Sequence, residues 1–145
     1  MSIREPVANK GGQVSDQAGS IFLKDVAQLL NVGDLDASSA LYLTLESGLP
    51  VTVSLETEGE RESALLYAEI GKLPTDAFLR EMAQANFLGA GTDNAILALR
   101  PDQPTVCLFK RIALASCNPQ DFLPVLDAFC QVATRWQLHL QTASR

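Results

Sequence analysis

The residues whose types and spacing could carry chemistry fall in three places. Gly89-Ala90-Gly91-Thr92-Asp93-Asn94 has the glycine content of a phosphate-binding loop. His139 and the cysteines Cys107, Cys117 and Cys130 offer a base and three nucleophiles. Glu56, Glu58, Glu60 and Glu62 recur at every second position, so in an extended chain their carboxylates share one side, as a cation site requires. The elements that position these residues decide each case.

Dinucleotide sites and P-loops place their glycines after a strand and before a helix, where free N–H groups and the positive end of the dipole hold an anion. Here the order is inverted. LPTDAFLREMAQANF, ahead of the glycines, has helical spacing, with Thr75 or Asp76 as cap and Phe78, Leu79, Met82 and Ala85 on the inward side. AILAL at 95–99, behind them, reads as a strand. The loop therefore sits at the negative end of a helix and lacks Gly-Lys-Ser or Gly-Lys-Thr, so the glycines read as a helix C-cap and connection.

Cys130 and His139 lie nine positions apart, which at about 100° per residue puts them on opposite sides of one helix. Pairing of His139 with Cys117 depends on long-range folding. Three cysteines without a C-x-x-C suggest neither a disulfide framework nor a zinc site, and read as reduced thiols packing as small hydrophobes. The glutamates lack the EF-hand spacing and read as a solvated hairpin turn whose mutual repulsion discourages edge-to-edge aggregation. No constellation assembles nucleophile, base and anion stabiliser. The expectation is binding rather than catalysis, with no cofactor and no metal.

The remaining elements follow from periodicity. IFLKDVAQLLNVG places Phe22, Val26, Leu29 and Leu30 on a helix, with Ser20 as N-cap, Gly33 as stop, and Leu23 and Ala27 widening the apolar face. Three alternating runs follow, holding Leu41, Leu43 and Leu45, then Val51, Val53 and Leu55, then Ser63 to Ile70. They are split by Ser47-Gly48-Leu49-Pro50 and Thr57-Glu58-Gly59-Glu60, links short enough for an antiparallel meander. AILAL and TVCLFKRIAL form a hairpin across Arg100-Pro101-Asp102-Gln103-Pro104. In the last segment Phe122, Leu126, Phe129, Ala133, Trp136 and Leu140 draw one helical stripe. Pro124 places the start of regular helix at about residue 122 with Asp121 as cap, after a short turn at 118–120. The order α-β-β-β-α-β-β-α predicts an α+β fold, a twisted and mainly antiparallel sheet covered by helices.

With 145 residues the chain fits one domain, expected over 20–145 behind a flexible N-terminal arm at 1–19. Seventeen acidic against eleven basic residues give a net charge of −6, which opposes nucleic acid and anionic membranes as partners. No apolar run is long enough to span a membrane and no secretory signal is evident, so the expected location is the cytoplasm.

The layout from about Ser20 to Leu140 resembles the class I type III secretion chaperones of the CesT (Tir chaperone) kind, small acidic cytoplasmic proteins that bind one or a few effectors before export. The resemblance rests on the LPTDAFLREMAQANF helix ending in Ala85-Asn86-Phe87, the loop with Gly89 and Gly91, the strand pair, and a last helix with Phe129, Ala133 and Trp136. It implies a homodimer without enzymatic activity or nucleotide, a secreted effector as partner, and contact with the secretion apparatus. It also implies that an effector's N-terminal chaperone-binding segment wraps the dimer in extended form. The matching groove residues are Phe22, Leu23, Val26 and Leu30 on the first helix and Val51, Val53 and Leu55 on the strand run. The matching dimer contact is Phe78, Met82, Phe87, Ile96 and Leu97. Two other readings stay open: an adaptor or regulatory domain on the same fold with a non-effector partner, and a small-ligand enzyme using Cys117 or His139.

Overall fold

The computed structural model describes residues 13–32 and 40–145. Most of the expected arm and the stop at Gly33 lie outside the described residues. The elements run α1 (Gln13–Leu29), β1 (Leu41–Thr44), β2 (Pro50–Glu58), β3 (Arg61–Lys72), α2 (Ala77–Asn86), β4 (Ile96–Leu99), β5 (Thr105–Ala113) and α3 (Pro119–Ala143), the predicted order. The five strands form one antiparallel sheet in the order β1-β2-β3-β5-β4.

Alternation along the strands divides the sheet into two faces. Val51, Val53, Ala64, Leu66, Ala68, Leu97, Val106 and Leu108 point to one side, where they join Phe22, Leu23 and Val26 of α1, Phe78 and Met82 of α2, and Phe122, Leu126, Phe129 and Ala133 of α3 in one core. Phe22 meets Phe122 edge-to-face with ring centroids 5.3 Å apart, joining α1 to α3. A bulge between Glu69 and Gly71 shifts the β3–β5 register. Gly71 has φ +154°, and a Cβ there would stand 3.0 Å from Leu140 Cδ2, so glycine lets α3 close over the end of β3.

Three boundaries differ from expectation. α1 begins at Gln13, seven residues before Ser20, which is therefore an interior position and not the cap. It stops at Asn31, whose φ of 55° is left-handed; Val32 N–H donates to Ala27 O and Asn31 N–H to Gln28 O, the Schellman pattern. α3 begins at Pro119 and not near residue 122, because Asn118 caps it: the Asn118 side chain accepts from Asp121 N–H at 2.8 Å. Pro124 thus lies inside the helix and removes one backbone bond, a cost of about 3 kcal/mol. The cap contributes about 1 kcal/mol, and full burial of Phe122 about 1.5–3 kcal/mol; together they offset it.

Candidate protein-binding surfaces

The glycine loop has its N–H groups committed to its own backbone. Gly91 N–H donates to Ala85 O, Asn94 N–H to Gly89 O and Ala95 N–H to Thr92 O, with Thr92 Oγ1 closing on Ala95 O. A Cβ at Gly91 would fall 2.8 Å from Ala85 Cα, and Gly89 sits at φ +70° against Asn94. Both glycines are thus required by close packing. Trp136 Nε1–H donates to Gly91 O at 3.0 Å, pinning the loop to α3. Its ring is half-buried, edge-to-face with Phe78.

His139 meets Glu81 at 3.2 Å and packs against the Phe78 and Trp136 rings. The Cys117 thiol donates to Asn118 O at 3.6 Å. Burial pushes the Cys130 thiol up to about 11, with the Asp127 charge adding to it, the reverse of what an activated nucleophile needs. Glu56 is taken by Arg111 at 2.8 Å. No group of three or more His, Cys, Asp or Glu that could hold a metal exists among the described residues.

The residues expected to bind a partner are divided by the fold. Leu23, Val26, Val51 and Val53 are fully buried in the protomer's own core, and Phe22 nearly so. They are unavailable to line an open groove here, because the helix stripe and the strand face expected to flank that groove pack directly on each other. Leu30 and Leu55 are half-buried at the margin of the core. Exposed apolar groups here are instead Ile21 and Leu29 on α1 and Val32 just after it. In the expected dimer set Phe78, Met82 and Leu97 are likewise core, whereas Phe87 is 71% and Ile96 47% exposed. Leu88, next to Phe87, is 84% exposed and held at φ 54°. Leu79, expected inward, turns outward.

The second face of the sheet carries a cleft of about 560 Å³ lined by Leu65, Ala98, Pro101 and Phe109 with a polar floor. Register places Tyr67 opposite Phe109 and Glu69 opposite Cys107. Arg100 Nη1 donates to Glu69 Oε1 at 2.8 Å while its Nε and Nη2 grip Asp102 at 3.0 and 2.9 Å. The Tyr67 hydroxyl donates to the same Glu69 oxygen at 3.3 Å and lies 3.2 Å from Cys107 Sγ. Burial, with the Cys107 contact and the Glu69 charge, pushes the Tyr67 hydroxyl up and keeps it protonated; burial raises Cys107 likewise. Spacing alone gave no sign of this cluster, since its members come from two strands, β3 and β5, and the turn after β4.

The model of the Tir chaperone protein (CesT) family matches residues 22–137. The chain belongs to that family. No curated protein matches this CesT-family chain. Solved structures share its fold. A chain of the ExsC–ExsE complex superposes with a TM-score of 0.70 at 21% identity, covering 88% of this chain and 96% of that one. The HopA1–SchA chaperone–effector complex gives 0.65 at 17%, covering 89% and 97%. The Yersinia pestis type III secretion chaperone SycH, bound to a stable fragment of YscM2, gives 0.63 at 15%, covering 81% and 98%. The α+β architecture expected for a CesT-family protein is therefore the one observed.

Proposed function

We propose that this CesT-family protein is a type III secretion chaperone. It binds the N-terminal chaperone-binding segment of one or a few effectors as a homodimer in the bacterial cytoplasm, keeps that segment extended and competent for export, and performs no catalysis. The observation that carries the reading is the family match over 22–137 on a fold shared with a chaperone–effector complex. The residues support it physically. A sheet with helices packed on one face leaves strand edges and an uncovered face, where main-chain pairing supplies affinity and side-chain pockets supply selectivity. An extended client loses ordering entropy on binding, about 2–5 kcal/mol or more, so it needs wide apolar contact. Ile21 and Leu29 on α1, with Val32 just after it, offer such contact.

The dimer contact is assigned to Phe87, Leu88 and Ile96. Phe87 and Leu88 follow Asn86, whose side chain is bonded to Leu97, so they stand beside Ile96 at the outer edge of β4. A leucine at positive φ is uncommon, and its occurrence at an exposed tip points to a partner contact. No helix among the described residues is long and apolar enough to cross a membrane.

Purification from the native host, with bound proteins identified by mass spectrometry, tests the reading. An exported protein held through its N-terminal segment, in a complex with two copies of the 15.6 kDa chain, is the expected result. A strictly monomeric chain without an exported partner contradicts it.

A further inference from the structure

The outer edge of β4 is occupied by its own chain. In the strand order β4 is one of the two ends of the sheet, and pairing with β5 uses only one side of it. Antiparallel pairing turns the N–H and C=O of every second residue away from the neighbouring strand, and along β4 and the residue before it these are Ala95, Leu97 and Leu99. Two of the three are taken. Leu97 N–H donates to Asn86 Oδ1 and Asn86 Nδ2–H returns to Leu97 O, while Ala95 N–H donates to Thr92 O at 3.1 Å and Thr92 Oγ1–H to Ala95 O. Thr92 is fully buried and Asn86 half-buried, which holds both caps in place. Leu99 alone of the three makes no such bond among the described residues. A strand docks through a run of such groups, and one free position at the end of the edge supplies no run.

Beside this edge stand the exposed side chains of Phe87, Leu88 and Ile96. Backbone bonds on both sides fix the tip that carries the first two: Phe87 N–H donates to Gln84 O, Ala90 N–H to Phe87 O and Asn94 N–H to Gly89 O. The tip therefore offers apolar side chains on a fixed backbone. We infer that Asn86 and Thr92 close the β4 edge to strand addition, and that a second copy of the chain docks there through side chains alone, Phe87, Leu88 and Ile96 of one copy against the other. The inference rests on the homodimer reading above and adds the mode of contact: the two sheets do not join into one. Closure also limits assembly. An open β4 edge would pair with the β1 edge of another copy, a head-to-tail contact that repeats without closing, whereas a two-fold side-chain contact ends at the dimer.

The test uses the full chain. Mass in solution is measured over a dilution series for wild type, Leu88→Asp and Asn86→Ala, with backbone amide exchange read residue by residue by NMR and thermal unfolding to confirm the fold of each variant. Aspartate tolerates the left-handed backbone at position 88 better than leucine does, so Leu88→Asp should fold and run as a monomer. Leu97 N–H should be equally protected in the wild-type dimer and in that monomer, because its acceptor belongs to the same copy, and Leu99 N–H should exchange at one rate in both. Slowing of Leu99 by about tenfold or more in the dimer would reveal a paired strand and overturn the inference. Asn86→Ala should form species larger than the wild-type dimer, in which Leu97 is protected only on association. A folded Asn86→Ala of wild-type mass, with Leu97 exchanging freely, would overturn the closed edge. The exchange measurements use wild type and Leu88→Asp, so they decide even where Asn86→Ala does not fold. A Leu88→Asp protein that remains dimeric would overturn the side-chain contact while leaving the dimer reading intact. A wild type monomeric at every concentration would overturn that contact together with the dimer reading, and larger species of Asn86→Ala would then still support the closed edge.

Discussion

The side-chain amide of Asn86 pairs with the backbone of Leu97 in both directions: Nδ2–H donates to Leu97 O and Leu97 N–H donates to Oδ1, each at 2.9 Å. The last residue of α2 thereby imitates a neighbouring strand at the outer edge of β4. An edge strand with unpaired groups invites pairing with another chain, and here Ile96, Phe87 and Leu88 add apolar surface beside it. Asn86→Ala should destabilise by about 1–3 kcal/mol, because two part-buried backbone groups lose their partners. It should also raise concentration-dependent association. Urea midpoints and light scattering read the two effects; an unchanged midpoint would show that water replaces the amide without loss.

α1 supplies a test of inside against outside. Leu23→Glu puts a carboxylate at a fully buried site and should cost more than about 3 kcal/mol, enough to lower the folded yield. Ile21→Glu, 59% exposed, should change stability by no more than about 0.5 kcal/mol and weaken effector capture. Circular dichroism with pull-down of the native client separates the outcomes; equal capture by Ile21→Glu would remove that face from the binding surface.

The loop between α2 and β4 is held by contacts that tolerate little change. Gly91→Ala would bring a methyl to 2.8 Å from Ala85 Cα, and the strain should cost about 1–3 kcal/mol. Trp136→Phe keeps the ring packing on Phe78 but removes the donor to Gly91 O, and should cost about 0.5–1.5 kcal/mol. Thermal unfolding of both variants checks these values.

Pro124 offers a gain. Pro124→Ala restores an N–H to the interior of α3 and relieves the ring's crowding of the preceding turn, so it should stabilise by about 1–3 kcal/mol. A denaturant midpoint that does not rise would mean that the helix had already adapted around the ring.

Alkaline pH should destabilise the fold through Cys130. Its thiol is held up to about 11 in the folded chain, above the ordinary cysteine value of about 8.5 in the unfolded chain. Below pH 8.5 both states are protonated and the contribution is constant. Between about 8.5 and 11 the unfolded chain loses its proton first, so stability falls as pH rises. Cys130→Ala should flatten this part of the pH profile of the urea midpoint relative to wild type. An identical slope in the variant would assign the alkaline loss to other groups, Tyr67 first among them.

Much of this molecule was legible in its residues one segment at a time. The period of two in the β2 and β3 runs and the 4, 3, 4, 3, 4 stripe of α3 are properties of neighbours along the chain, and they sufficed for the element order and the α+β class. The inversion of helix and strand around Gly89 and Gly91 likewise sufficed to read a connecting loop. The burial of α1's inner face was not legible, because Leu23 and Leu29 are equally apolar and only the packing of the helix into the core, with Phe22 against Phe122, decides which turns inward. Nor was the start of α3: the Asn118 cap and the burial of Phe122 outweigh Pro124, and the second of these depends on the rest of the core. The cluster of Tyr67, Glu69, Arg100 and Cys107 exists only through strand register, which joins residues up to 40 positions apart. Local periodicity carries no information about such pairings, since a shift of one residue in register would turn every one of these side chains to the other face.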